Sequence, residues 1–118
     1  MARILLADDD KGALDLVRRA LELDGHKVTT ADDGSEAQAV VNAGGFDLLV
    51  TDVQMPGLDG ISLAKAAVAR HPGMRVVLMS AYADGLDLAA PLVARGARVV
   101  VKPFAIERIR AEVRAALA

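Results

Sequence analysis

The segment LLVTDVQMPGLDG, residues 48–60, contains the features from which the fold and the site of this chain follow. Together with Phe46, Leu48–Val50 forms an apolar run short enough for a strand buried on both faces, and Asp52 ends it before a loop containing Pro and Gly. Burial disfavours the charged form of a carboxylate, so an acid is costly there unless a cation or a chemical task retains it. Ligands bind at the carboxyl ends of strands in open α/β sheets, which makes Asp52 a candidate site residue. The alternative is an acid that merely opens a turn.

Length and composition limit the possibilities. The 118 residues, of which 53% are hydrophobic and 25% charged, predict one compact domain spanning residues 1–118. The net charge of −2, with no clustered basic stripe, argues against nucleic-acid binding, and the absence of Cys excludes disulfides and thiolate metal sites. Nothing at the N-terminus resembles a signal peptide, and no apolar run approaches the roughly 20 residues of a membrane span. We therefore expect a soluble cytoplasmic protein.

Five apolar runs alternate with five helix-forming segments. The predicted strands are residues 3–7, 26–30, 46–52, 75–79 and 99–101. The predicted helices are residues 11–23, a segment from the Asp33–Glu36 capping box to Gly44, then 61–70, 84–95 and 106–117. Pro91 falls inside the fourth helical pattern, so this helix should be short, kinked or begin near Ala90. Continuous apolar strands separated by helices predict an α/β fold with a doubly wound, five-stranded parallel sheet.

Polar residues follow four of the five strands. The first strand ends in Asp8–Asp9, the third in Asp52, the fourth in Ser80 and the fifth in Lys102. In a parallel sheet these ends share one edge. Separately, each residue could be a solvated helix start, a local cap or a surface charge, but their joint occurrence at strand ends favours a common site.

The chemistry available to this set is narrow. Carboxylates without a nearby His or Cys form a hard-oxygen site typical of Mg²⁺ or Mn²⁺. A carboxylate beside a metal, a hydroxyl and an ammonium group is equipped as a nucleophile toward a phosphoryl group. The ammonium and the metal neutralise charge on the phosphoryl oxygens, and the product is an acyl phosphate.

Four motifs carry a resemblance to the receiver domains of two-component response regulators. They are ILLADDD at residues 4–10, TDVQMPGLDG at 51–60, SAY at 80–82 and KPF at 102–104, in the order and spacing of that family. The resemblance covers essentially the whole chain. It implies a flavodoxin-like, CheY-like fold with five helices and strand order 2-1-3-4-5.

The resemblance also implies roles for individual residues. Asp52 is the expected phosphoacceptor, and Ser80 and Lys102 are the expected phosphoryl-sensing pair. The expected metal ligands are Asp8, Asp9, Asp52 and the backbone carbonyl of Gln54. Asp10 is expected to be an acid at a helix N-terminus, where the helix dipole favours it.

One position departs from the family pattern. Receiver domains usually carry an aromatic residue three positions before the Lys of the fifth strand, whereas this chain has Val99 there and an aromatic at Tyr82 instead. In this respect the chain is similar to the small CpdR-like receivers of alphaproteobacteria. We therefore expect a phosphorylation signal to pass from Ser80 through its own loop to Tyr82.

The resemblance implies partners but no classical enzyme activity beyond the domain's own phosphorylation and dephosphorylation. The expected donor is a histidine kinase or a histidine phosphotransfer protein. Because the sequence stops at the last helix, the signal is expected to leave by contact with a downstream protein. The expected surface is the fourth helix, fifth strand and fifth helix, with Arg95, Arg98, Glu107 and Arg108, on a monomer or weak dimer.

Two other classes use similar parts. A haloacid-dehalogenase-like phosphatase also combines an Asp nucleophile, Mg²⁺ and Lys, but needs a second Asp two residues after the nucleophile, where this chain has Gln54. A pseudo-receiver that never accepts a phosphoryl group would lack the acid trio or the Lys, and both are present. The receiver interpretation is therefore preferred.

Overall fold

The computed structural model describes residues 2–81 and 86–118 and contains one parallel sheet in the order β2-β1-β3-β4-β5. The strands are β1 (Arg3–Ala7), β2 (Lys27–Ala31), β3 (Leu48–Asp52), β4 (Arg75–Ser80) and β5 (Arg98–Val101). The helices are α1 (Lys11–Leu23), α2 (Gly34–Asn42), α3 (Gly60–Arg70), α4 (Ala90–Ala94) and α5 (Ile106–Leu117). The predicted fold class and strand order are confirmed.

The sheet has a hydrophobic layer on each face. Leu5, Leu49 and Leu78 point to the face covered by α2, α3 and α4. Their neighbours along the strands, such as Leu6 and Val50, point to the face covered by α1 and α5. This alternation on central strands explains why the strands read as continuous apolar runs.

Three helices begin with an Asp side chain that accepts backbone hydrogen bonds. Asp10 accepts from Gly12 and Ala13 at the start of α1, Asp33 caps α2, and Asp59 caps α3. Such caps satisfy amide groups that have no partner within the helix. The expectation that Asp10 serves a helix N-terminus is confirmed, which separates it from Asp8 and Asp9.

The fourth helix is short, as Pro91 predicted. A 3-10 helix spans Leu86–Ala89, and α4 follows with Pro91 in its first turn. The predicted helix start at residue 84 lies outside the described residues. A Pro in the first turn sacrifices no hydrogen bond, because the amide there has no partner within the helix.

Strand ends differ slightly from prediction. The second strand begins at Lys27 rather than His26 and extends to Ala31, which pairs with Ala7 of β1. The Ala31 carbonyl accepts a hydrogen bond from the Asp8 amide at 3.2 Å, so the backbone hydrogen bonds between β1 and β2 continue to Asp8. In the part of the chain that the structure describes, no helix is long and apolar enough to cross a membrane.

Candidate functional site

Parallel register brings the predicted site residues to one edge of the sheet. Asp52 is the last residue of β3 and pairs with Met79, one residue before Ser80. Ser80 is the last residue of β4 and pairs with Val101, one residue before Lys102. Side chains far apart in sequence thus meet because four strands end at one level. Asp8, Asp52 and Ser80 are almost fully buried, with relative exposures of 1%, 5% and 0%.

Lys102 bridges two of the acids. Its Nζ lies 3.2 Å from Asp52 Oδ2 and 3.4 Å from Asp8 Oδ2. Burial raises the pKa of Asp52; Lys102 opposes this, while Asp8 and Asp9 add to it, and the net pKa lies above the usual value. Burial alone would lower the pKa of Lys102, but the charges of Asp8 and Asp52 outweigh that effect and raise it. One ammonium therefore only partly neutralises the acids.

The three acids fit a hard divalent cation. Asp8, Asp9 and Asp52 each offer a carboxylate oxygen, and these oxygens lie within 4.8 Å of one another. Among the described residues, Asp52 Oδ1 is buried without a hydrogen-bond partner, which is costly unless another group satisfies it. Asp9 is exposed and lines an open cleft together with Gln54. Oxygen donors of this kind suit Mg²⁺, which retains several water ligands.

The loop after Asp52, residues 53–59, is held by two close backbone approaches. A Cβ atom at Gly60 would lie 2.0 Å from the Asp52 carbonyl oxygen, and one at Gly34 would lie 1.7 Å from the Leu58 carbonyl oxygen. Both positions therefore require Gly. The Gly34 amide also donates to the Pro56 carbonyl at 3.2 Å, so the start of α2 fixes the loop that follows Asp52.

The side chain of Gln54 contacts the end of β4, a role that sequence reasoning missed. Its Nε2 donates to Ser80 Oγ at 3.3 Å, and its Oε1 accepts from the Ala81 amide at 3.3 Å. The sequence analysis considered only the backbone carbonyl of Gln54. The sequence signal for this role was the position of Gln54, a side chain that can both donate and accept hydrogen bonds, two residues after Asp52.

The switch roles predicted for Val99 and Tyr82 stay predictions. Val99 is half-buried, packs against the face covered by α2, α3 and α4, and pairs with Leu78. Tyr82 lies outside the described residues, so its part in signalling stays a prediction. The Lys102–Pro103 peptide bond, directly after the site ammonium, is cis.

Comparison with known proteins identifies the family. Residues 4–114 match the model of the response regulator receiver domain. The chain belongs to this family, whose members are the receiver domains of two-component systems.

Curated relatives include both short and long proteins. The response regulator receiver protein CpdR of Brucella abortus is 38% identical over 107 residues, covering 88% of this chain and 87% of that protein. The probable transcriptional regulatory protein TcrX of Mycobacterium tuberculosis is 35% identical over 114 residues, covering 97% of this chain and 49% of that protein. The chain spans about half the length of the mycobacterial regulators that it matches. The similarity to CpdR agrees with the predicted resemblance to CpdR-like receivers.

Solved structures agree. A CheY-like response regulator receiver domain protein from Methanospirillum hungatei has a TM-score of 0.89 at 28% identity, covering 99% of this chain and 94% of that one. The receiver domain of the hybrid histidine kinase CckA has a TM-score of 0.82 at 30% identity, covering 98% of this chain and 99% of that one. The backbone of this chain is therefore similar to receiver domains over nearly its whole length.

Proposed function

We propose that residues 1–118 form a receiver domain that accepts a phosphoryl group on Asp52 in a Mg²⁺- or Mn²⁺-dependent reaction. The donor is the phosphohistidine of a histidine kinase or a histidine phosphotransfer protein. The observation that carries this proposal is the position of Asp52, buried at a strand end, 3.2 Å from Lys102 and among the oxygens of Asp8 and Asp9.

In the proposed reaction, an oxygen of the Asp52 carboxylate forms a bond to phosphorus, and the phosphorus–nitrogen bond of the donor breaks. The electron pair of that bond leaves with the imidazole. Lys102 offers a positive charge to the phosphoryl oxygens while remaining close to Asp8. Ser80 supplies a hydroxyl donor from the neighbouring strand.

The proposed metal site consists of Asp8, Asp9, Asp52 and the backbone carbonyl of Gln54. When bound there, the cation would neutralise negative charge on the transferring group. Asp8 and Asp9 hold their carboxylates at the edge because β1 ends beside β3, with Ala7 paired to Thr51. The chain's contribution is thus a fixed set of oxygens.

The proposed output is a change in the surface formed by α4, β5 and α5. Val93 on α4 and Val101 on β5 are large apolar residues with relative exposures of 48% and 44%. Arg98 and Arg108 both pair with Glu112 of α5 beside them. We assign this mixed apolar and charged face to a downstream protein partner, and Arg95 and Glu107 to its polar margin. A cytoplasmic monomer or weak dimer stays the expected state.

The decisive test is phosphorylation by a small donor. Incubation with acetyl phosphate and Mg²⁺, followed by intact mass measurement, should show one added phosphoryl group. Asp52→Asn should abolish the addition because the amide is not a nucleophile. Chelation of the metal should do the same to the wild-type protein.

The matched control is Asp24→Asn, the same substitution at the opposite edge of the sheet, which should be phosphorylated like wild type. Addition that persists in Asp52→Asn would point to another acceptor and refute the assignment. Addition that persists after chelation would refute the metal requirement.

A further inference from the structure

We propose that the carboxamide of Gln54 is a latch that holds Ser80 and Ala81 in the arrangement of the unphosphorylated protein. The inference rests on the proposed function and assigns a positioning role to a side chain outside the phosphoryl chemistry itself. The latch consists of the two hydrogen bonds, from Gln54 Nε2 to Ser80 Oγ and from the Ala81 amide to Gln54 Oε1, each 3.3 Å long.

The orientation of the carboxamide follows from its partners. The Ala81 amide can only donate, so it requires the oxygen of Gln54 rather than its nitrogen. The nitrogen then faces Ser80, whose hydroxyl oxygen accepts. Reversing the carboxamide would place its NH₂ group against the Ala81 N–H, so only one orientation of the carboxamide makes both contacts.

The latch joins two segments that are otherwise fixed by backbone hydrogen bonds. The Val53 amide donates to the Met79 carbonyl at 2.8 Å, and the Lys102 amide donates to the Ser80 carbonyl at 2.7 Å. The backbone of Ser80 is therefore held in the sheet ladder. What can change is the direction of its hydroxyl, and Gln54 contacts both this hydroxyl and the following amide of Ala81.

Phosphorylation would disturb this arrangement through the hydroxyl. A phosphoryl group on Asp52 adds strong acceptor oxygens beside the strand that carries Ser80. When Ser80 Oγ moves toward those oxygens, its hydrogen bond from Gln54 Nε2 breaks. The carboxamide then keeps only its hydrogen bond from the Ala81 amide. The free energy that keeps the latch closed therefore opposes binding of the phosphoryl group, which lowers the apparent affinity for any mimic of it.

The exposed position of Gln54 makes a clean test possible. Gln54→Met keeps the length of the side chain and removes both hydrogen bonds, and Gln38→Met places the same substitution on α2 as the control. The probe is beryllofluoride with saturating Mg²⁺, measured by titration. We expect Gln54→Met to bind beryllofluoride roughly three- to tenfold more tightly than wild type, the range set by one net hydrogen bond. Gln38→Met should match wild type.

A second readout needs no ligand. The Ala81 amide should exchange with solvent several-fold faster in Gln54→Met, whereas the Val53 amide, held by the sheet ladder, should keep its protection. In a double-mutant cycle with Ser80→Ala, the gain from Gln54→Met should disappear, because the hydroxyl that the latch holds is already absent.

The outcomes separate this inference from the proposed function. If wild type binds beryllofluoride but Gln54→Met neither binds it more tightly nor exchanges Ala81 faster, the latch is refuted while phosphorylation at Asp52 stands. An equal gain in the Ser80→Ala background would also refute it. If wild type does not bind beryllofluoride at all, the proposed function fails and the switching role of the latch fails with it.

Discussion

The amino ends of the strands form one edge of the sheet (the amino edge) and their carboxyl ends form the other (the carboxyl edge). The two edges differ in how their charged groups are paired and buried. At the amino edge, two acids have close partners: Asp47 Oδ2 accepts from the Arg3 amide at 2.8 Å, and Asp24 pairs with Arg110. At the carboxyl edge, Asp8, Asp9 and Asp52 lie together, and Lys102 is the cation that the described residues place against two of them. The paired groups of the amino edge are mostly exposed. At the carboxyl edge Asp8 and Asp52 are buried, and together with the exposed Asp9 they outnumber the ammonium group of Lys102 that the described residues place there.

This difference predicts that the charges of the two edges contribute differently to the free energy of unfolding. Exposed ion pairs contribute little because water screens them and would solvate the same charges without them. Buried like charges are destabilising until a cation neutralises part of their charge. We therefore expect Mg²⁺ to change the free energy of unfolding through the acids of the carboxyl edge.

The largest expected effect concerns Mg²⁺. Asp8→Asn and Asp9→Asn should each weaken Mg²⁺ binding by about tenfold or more, because losing a residue that merely supports a metal ligand already costs about that much. Isothermal titration provides the measurement. In wild type, millimolar Mg²⁺ should also raise the melting temperature, since it binds the folded state preferentially.

Asp24→Asn at the amino edge is the control and should bind Mg²⁺ as wild type does. Unchanged Mg²⁺ binding in both Asp8→Asn and Asp9→Asn would mean that the metal site has been placed wrongly.

A smaller effect is expected on the stability of the metal-free protein. The pKa of Asp52 is raised in the folded state, so the folded protein binds more protons than the unfolded chain between the ordinary Asp pKa and the raised one. Stability should therefore fall as the pH rises through that window. Asp52→Asn removes this titration, so the metal-free variant should have a higher urea midpoint than wild type at neutral pH.

Urea unfolding in the presence of a chelator, from acid to neutral pH, measures this difference. The advantage of Asp52→Asn should shrink as the pH falls through the window. A constant difference at every pH would show that burial of the charged carboxylate is not its cause.

The smallest effect belongs to the amino edge. Asp24→Asn breaks the pair with Arg110, which holds the pKa of Asp24 below its usual value by a hydrogen bond. The stability from this pair is present at neutral pH and is lost as the pH falls through that lowered pKa. Because the pair is exposed, the urea midpoint at neutral pH should change by little more than experimental error.

Adding Mg²⁺ should shift the unfolding midpoint of Asp24→Asn and of wild type equally. A large loss of stability in Asp24→Asn would contradict the expectation that the ion pair at the amino edge contributes little to the free energy of unfolding.

The sequence by itself determined the fold class and the polar residues that lie at the carboxyl ends of the strands. Apolar runs alternating with helical periodicity specify a parallel sheet, and Asp52, Ser80 and Lys102 each follow such a run directly. Pro91 likewise predicted a late start for α4, because the restriction that Pro places on the backbone is local. These features depend on near neighbours in the chain, so they can be deduced from it.

The tertiary structure alone decided which atoms meet. Lys102 contacts both Asp8 and Asp52, and Gln54 contacts Ser80, because the register of β1, β3, β4 and β5 sets how far each strand end projects. The need for Gly34 also arises only when the start of α2 packs against the loop after Asp52. Such contacts join residues that are distant in sequence, and their geometry is fixed by the packing of the whole sheet rather than by any local pattern.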